Sequence, residues 1–475
     1  MKKYNIFKVV GITILVTFLL TWIFPSTTFN YGELTSNGTR SQVGLFNLFT
    51  YPVESMTYFG NVILYIIAIG GFYGILHKIG AYRAILDKLS KKQSPLVLVC
   101  IMVLFAAFTA VCGASQGLWI VIPFVVSLVL LMGYDKVTAA MVTVGSIAVG
   151  MIGSLFSSTY IADMSGVSAQ NGLGVVNTIL STHPLAQTLP KIIILCLSLG
   201  LLIFNTLRYA SKNKVDKKAL EKEYVPTVVD KKTKKWPLVL IFDLTFLVTL
   251  LSQTSWSAVF KLNFFSDITT KVLTKLNIKG FPIIGKILGN VPAFEKWNLP
   301  ELIVLLVIAS IIISLIYKVK FNEYLDNAIE GMKKAIKPAV ITIFIYVVLI
   351  MVTYNGTVLT VVKPFLKASK LNAPLMNIAA FIASVLNVDL LYAASSTLQY
   401  VVQILPEAAM HSTIAFIWQT MYGFTALVAP TSVMLMGTLA YLNIPYGKWL
   451  KSNWIVILGI LACCVILSTV LAMRL

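Results

Sequence analysis

The sequence predicts an all-α polytopic membrane protein, and three observations lead there. Of 475 residues, 58% are hydrophobic and only 12% charged, against roughly 25% charged in soluble globular domains. Several apolar runs reach the roughly 20 residues that a membrane-spanning helix needs. Those runs are continuous rather than alternating, which excludes a transmembrane β-barrel. The net charge of +20 does not indicate a nucleic-acid partner, because most basic residues sit in a few short loops, as cytoplasmic loops of membrane proteins do.

The elements follow in order. Lys2, Lys3 and Lys8 precede an apolar stretch from Val9 to Phe24. It is longer than the roughly 7–15 residues of a signal-peptide core and no small-residue cleavage site follows, so it reads as a retained first helix. Residues 25–57 carry one Arg and few other charges, as an outer loop would, and 59–76 return inward to the basic "HKIGAYRAILDKLSKKQ". Residues 208–235 hold ten Lys or Arg against four acids, and 318–337 form a third basic loop. These loops place the N-terminus in the cytoplasm and the C-terminus outside, in a multi-pass protein of the cell membrane. Crossings at about 238–256 and 301–317 flank a segment, 257–300, expected outside along the interface. The organisation is thus an N-terminal half (1–208), a basic cytoplasmic linker (209–236) and a C-terminal half (237–475).

Each half contains the same unit. Residues 96–134 lack any charged side chain; at 1.5 Å per residue they make about 58 Å of helix, enough to go in and come back. The turn lies at Gly113, Ser115, Gln116 and Gly117, and either a re-entrant hairpin or two full crossings would return the chain to the same side. The run at 137–166 is spaced by Gly145, Gly150 and Gly153, then dissolves into Ser154, Ser157, Ser158 and Thr159. In the second half, 338–354 crosses, 374–406 forms an apolar pair around "NVDLLYAASSTLQ", and 411–442 carries "GFTALVAPTS" with Pro430 inside it. "GASQGLWIVIPF" (113–124) pairs with "AASSTLQYVVQILP" (393–406), and "GMIGSLFSST" (150–159) with "GFTALVAPTS" (423–432). The first unit enters its hairpin from inside and the second (338–474) from outside. An inverted repeat with two hairpins and two broken transmembrane helices is the pattern of a secondary transporter whose site lies at the bilayer midplane.

Non-helical backbone at membrane depth is tolerated only where protein or water covers it. Its free N–H and C=O groups, with the adjoining half-helix ends, can hold ions without formal charges. The candidate substrate- or ion-binding residues are therefore Ser115 and Gln116 at the first tip, Ser157, Ser158 and Thr159 at the first break with Asp163 after it, Asp389 with Ser395, Ser396 and Thr397 at the second hairpin, and Thr425, Pro430, Thr431 and Ser432 at the second break. Na⁺ is a possible ligand of Ser158, Thr159, Thr431 and Ser432, and H⁺ is the other possible coupling ion. The alternative for each break is helix packing through small polar residues with a proline kink. Asp243, Glu407 and His411 are further intramembrane ionisable candidates.

The five cysteines all lie in apolar runs without metal-ligand spacing and read as small core hydrophobes. No P-loop is present, so neither an ATP-driven pump nor an enzyme is expected, and no cofactor. The expected partners are a small-molecule substrate and membrane lipid.

The stretches "GYDKVTAAMVTVGSIAVGMIGS" (133–154), "AIEGMKKAIKPAVI" (328–341) and "GFTALVAPTSVMLMGTLAYLNIPYGKWLK" (423–451) resemble the YfcC/C4-dicarboxylate anaerobic carrier group (DcuC-like) of the ion transporter superfamily. The resemblance implies a secondary carrier, a homodimer and elevator-type movement of a transport domain. It implies C4-dicarboxylates or amino acids, including basic ones, as substrates. The chain departs from the group's pattern where substrate would sit: its first tip is "GASQGLW" rather than Glu-rich, Ser158–Thr159 replaces Asn-Pro, and Met421–Tyr422 replaces Gly-Asp. An ion-coupled symporter or exchanger for an amino acid or small carboxylate is the expected function, with a C4-dicarboxylate carrier as the alternative. A channel or a non-transporting scaffold is the contrasting class.

Overall fold

The computed structural model describes residues 5–30, 33–36, 42–91, 94–113, 115–155, 188–215, 224–226, 228, 233–254, 256–260, 262–272, 283–289, 291–366, 371–405 and 407–474. The expected site residues Ser157, Ser158, Thr159 and Asp163 lie outside these. Among the described residues, nine helices are long and apolar enough to cross a membrane. The first is α1, Asn5–Ile23, followed by a short antiparallel β-hairpin, Thr27–Asn30 with Glu33–Ser36, where only a loop was expected.

The first unit comprises α2 (Asn47–Leu76), α3 (Gly80–Ser90), α4 (Pro95–Cys112), a 3₁₀ turn at Gly117–Val121 and α5 (Ile122–Leu131). The first broken helix, α6, spans Lys136–Ile152 with a π turn at Met141–Gly145, and α7 covers Thr188–Lys212. Between the units run α8 (Trp236–Gln253) and α9 (Leu299–Ile316). The second unit has α10 (Phe321–Tyr354), the hairpin α11 (Ala373–Asn387) and α12 (Leu390–Ile404), the broken pair α13 (Ala408–Val428) and α14 (Val433–Leu442), and α15 (Tyr446–Ala472). The basic stretch 318–337, expected as a loop, is largely the first half of α10. Its apolar positions recur at helical spacing, and Lys and Glu take the outer face, so charge density alone concealed a helix.

Equivalent helices of the two units pack antiparallel. Along α2 and α10, Gly74 meets Asn327 and Gly331 while Gly70 meets Ala335. Further along, Ser55 Oγ donates to the Ile343 carbonyl, and Tyr51 packs edge-on to Tyr354. A Cβ on Gly74 would stand 2.2 Å from the Asn327 carbonyl and one on Gly331 2.1 Å from that of Gly70, so glycine sets this close crossing. On α7 and α15, Asn205 Nδ2 donates to the Ser452 carbonyl and Leu201 packs on Gly459, again antiparallel.

This pairing fixes which end each hairpin enters from. The α2 C-terminus and the α10 N-terminus share one end, which also carries Lys78, Lys334 and the Tyr134–Lys214 bridge closing α7 against α6. The first hairpin starts from this basic end. The second starts from the opposite end, where Gly356 beyond α10 accepts from the Thr27 backbone. The repeat is inverted in three dimensions as well as in sequence.

His77 follows α2 directly and lies against Tyr82, with ring centroids 5.8 Å apart. Burial lowers its pKa to about 4, with Lys334 adding to the effect, Glu330 opposing it and Lys78 adding again. Its folded pKa is below the unfolded value, so between pH 6.5 and 4 the unfolded chain takes a proton that the native state refuses. The stability it contributes is complete above pH 6.5 and is lost as pH falls, amounting to about 2 kcal/mol by pH 5. The drop in melting temperature between pH 7.5 and pH 5 should therefore be smaller in His77→Gln; an equal drop in both proteins would contradict this assignment.

Candidate functional site

The four discontinuities meet around two adjoining clefts. Ser115, Gln116, Met151, Asp389 and Tyr422 line both. Thr109, Ser154 and Gln419 complete the first; Trp119, Tyr346, Thr425 and Ser432 complete the second. Tips that enter from opposite ends share one cavity, so neither hairpin crosses the membrane fully and both are re-entrant. The return arm of the first, Gly117–Leu131, is also too short at about 22 Å to span about 30 Å.

At the first tip Gly113 adopts φ +69°, the left-handed conformation that ends α4 without side-chain strain. Scaffold tyrosines hold the chain beyond it: Tyr65 Oη donates to the Gln116 carbonyl at 3.1 Å and Tyr73 Oη to that of Ile120 at 2.6 Å. Trp119 lines the second cleft, and its Nε1 is buried with no hydrogen-bond partner among the described residues.

At the second tip Val388 has φ +63°, strained for a β-branched residue. Asp389 follows as the N-cap of α12, its Oδ1 accepting from the Leu391 backbone at 2.8 Å. Ser396 and Thr397 are engaged within the hairpin and its packing. Asn387 Nδ2 donates to Ser396 Oγ, and Trp418 Nε1 to Thr397 Oγ1. Ser395 Oγ donates back to the Tyr392 carbonyl. None of these three lines the clefts.

The second break can be accounted for bond by bond. Beyond Thr425, whose carbonyl accepts from the Ala429 N–H, the last carbonyls of α13 find side chains. Ala426 accepts from Ser432 Oγ at 2.9 Å, Leu427 from Trp449 Nε1 at 3.0 Å, and Val428 from Tyr446 Oη. Ser432 also caps α14, accepting from the Leu435 N–H. Pro430 sits where a helical N–H would be lost anyway. The carbonyls of Thr425 to Ala429 thus all have donors, whereas the first turn of α14, Ser432–Met434, faces the cleft with its N-terminal partial positive charge. Thr431 Oγ1 is buried without a partner among the described residues, and Thr425 Oγ1 donates back to the Met421 carbonyl.

The first break is sutured by its neighbours. Gln419 Nε2 on α13 donates to the Ser154 carbonyl at 2.6 Å, and Lys191 Nζ on α7 lies 3.5 Å from that of Leu155. Gln419, Trp449, Tyr446 and Lys191 were missed in the sequence. A Gln or Lys inside an apolar run is the available signal, and both lie outside the two breaks. The aromatic donors carried no such mark.

Ser432→Ala removes a helix cap and leaves the Ala426 carbonyl buried without a donor. A loss of about 2–3 kcal/mol is expected, read as a lowered melting temperature; an unchanged value would mean that water replaces the hydroxyl.

Among the described residues lining the two clefts, Asp389 is the one ionisable carboxylate and no Lys or Arg is present. Asp243 lies exposed on α8 and His411 Nε2 lies 3.3 Å from the Leu405 carbonyl, both away from the clefts. No cluster of metal-ligating side chains occurs among the described residues.

No curated protein sequence matches the chain. Among solved structures, the Alcanivorax borkumensis YdaH transporter aligns over 98% of both chains at 15% identity, with a TM-score of 0.40. The family model described as C4-dicarboxylate anaerobic carrier (DcuC) matches residues 5–473. Paired re-entrant hairpins, the break between α13 and α14 and that nearly complete match converge: this chain is a multi-pass membrane transporter, not an enzyme, and belongs to the C4-dicarboxylate anaerobic carrier family.

Proposed function

We propose that the protein is an ion-coupled secondary carrier, symporter or exchanger, for a small carboxylate bearing an amine, such as an amino acid. The supporting observation is the charge balance of the shared cavity: among the described residues, Asp389 and the N-terminal turn of α14 line it, and no cationic side chain does. A zwitterion balances this arrangement, its ammonium on Asp389 and its carboxylate at the α14 N-terminus beside Ser432. A dicarboxylate would bring two further negative charges next to Asp389 in a low-dielectric site, which is costly without a counter-charge.

Alternating access in this reading moves the hairpins and broken helices against the α2–α10 pair, an elevator-type motion, with the basic end cytoplasmic. Na⁺ or H⁺ is the coupling ion, Thr431 and Ser432 offering hydroxyls and Asp389 a titratable group. Initial-rate uptake into proteoliposomes of labelled arginine, glutamate and succinate, with and without Na⁺ or pH gradients, tests this. Saturable uptake of an amino acid is expected, and no saturable flux of any of the three would refute the proposal.

The second reading, a C4-dicarboxylate carrier, is favoured by the family match over residues 5–473. Asp389 must then be protonated or paired with a co-transported cation, and the N-termini of α12 and α14 would each take one carboxylate. Removing the Asp389 charge should impair the first substrate class and spare the second.

A further inference from the structure

A third cavity lies between the α2–α10 pair and α14. It shares Trp119, Val433 and Met434 with the substrate cleft, so the two adjoin. Its inner walls are apolar, from Ile66, Ile69, Pro123 and Pro338. Its charged side chains are confined to its basic end, where Lys78, Glu330 and Lys334 stand beside His77; Tyr73, Trp119, Thr438 and Tyr441 are its other polar residues. Lys78 Nζ lies 2.9 Å from Glu330 Oε2; Lys334 is exposed and forms no ion pair among the described residues. His77 Nε2 is buried and has no hydrogen-bond partner there. With the imidazole neutral, two ammonium groups face one carboxylate and the mouth carries one excess positive charge.

Beyond its mouth the lining holds no charged side chain among the described residues, so the excess charge at the entrance is the feature that could gather a carboxylate. We propose that Lys78 and Lys334 form an outer carboxylate-docking site at the mouth of this vestibule, where anionic groups of substrate collect before reaching Asp389 and Ser432. Glu330 holds Lys78 beside the opening and can exchange it to an incoming carboxylate. Focused charge at a low-dielectric cleft raises local ligand concentration and the entry rate in a salt-dependent way. The inference rests on the carboxylate-carrier reading and adds an entry site on one face.

The test uses the full-length carrier, with the single variants Lys78→Gln and Lys334→Gln and the double variant, in proteoliposomes sorted by orientation. Labelled arginine, glutamate and succinate are the probes. KM measured from the vestibule face should rise about 5- to 10-fold in the double variant at low salt, and the effect should shrink towards 0.5 M salt. KM from the opposite face, kcat and the melting temperature should stay unchanged. An unmoved KM at the vestibule face, or an equal rise on both faces, would overturn the outer site while leaving the carrier reading intact. Lys334 is exposed and unpaired among the described residues, so its single variant reports even if loss of the Lys78–Glu330 pair disturbs the mouth. Absence of saturable flux in the unsubstituted carrier would overturn this proposal together with the function on which it rests.

Discussion

Asp389→Asn should lower kcat/KM for amino-acid uptake by about 10- to 100-fold, the loss of one charge-assisted contact of roughly 1.5–3 kcal/mol. Asparagine caps a helix as well as aspartate does, so the Leu391 N–H keeps its acceptor and the melting temperature should hold. Binding and cap are thereby separated. A purely structural Asp389 would leave kinetics untouched in the Asn variant, and a protonated Asp389 serving a dicarboxylate would leave succinate flux equal or improved. The measurement is initial-rate uptake of both probes by the two proteins side by side.

Gly423→Ala should have the largest effect on the fold. Glycine at this position lets α13 cross α6 backbone to backbone: an added Cβ would stand 2.3 Å from the Ile152 nitrogen, 2.6 Å from its Cα and 2.7 Å from the Met151 carbonyl carbon. No flexible side chain can swing away, so the helices must separate. Overpacking of this kind costs about 1–3 kcal/mol or more. Separation would also pull Gln419 off the Ser154 carbonyl, one turn away, and expose the first break. Loss of detergent-stable protein and of transport together is expected. A variant with native melting temperature and native uptake would show that the two broken helices do not depend on this crossing.

Much of the architecture was legible because it follows from long-range averages. Apolar runs, basic loops and turn residues required two hairpins entering from opposite ends, and the packing of α2 on α10 bears that out. The choice between a re-entrant hairpin and two crossings at 96–134 was not legible, since both return the chain to the same side. It is settled by Gln116 and Asp389 meeting in one cavity. The helical first half of α10 was hidden by its charge.

Within the site, polar residues at the discontinuities marked the right places but not their tasks. Ser115, Gln116, Asp389, Thr425 and Ser432 do line the clefts. Ser396 and Thr397 instead tie the second hairpin to itself and to Trp418, a distinction that depends on which face of α12 turns inward. The closure of both breaks depends on Gln419, Trp449, Tyr446 and Lys191, which lie 18 to 36 residues from their acceptors or further. Such long-range partners leave no local pattern to read.

The charge balance of the cavity is the central claim, and competition for uptake tests it most directly. Labelled arginine and labelled succinate would each be challenged, in proteoliposomes of the purified carrier, with excess unlabelled amino acid and with the same acid lacking its amine. Saturable amino-acid uptake that the amine-free analogue fails to inhibit is the predicted result. Saturable succinate uptake that amino acids neither share nor inhibit would contradict it.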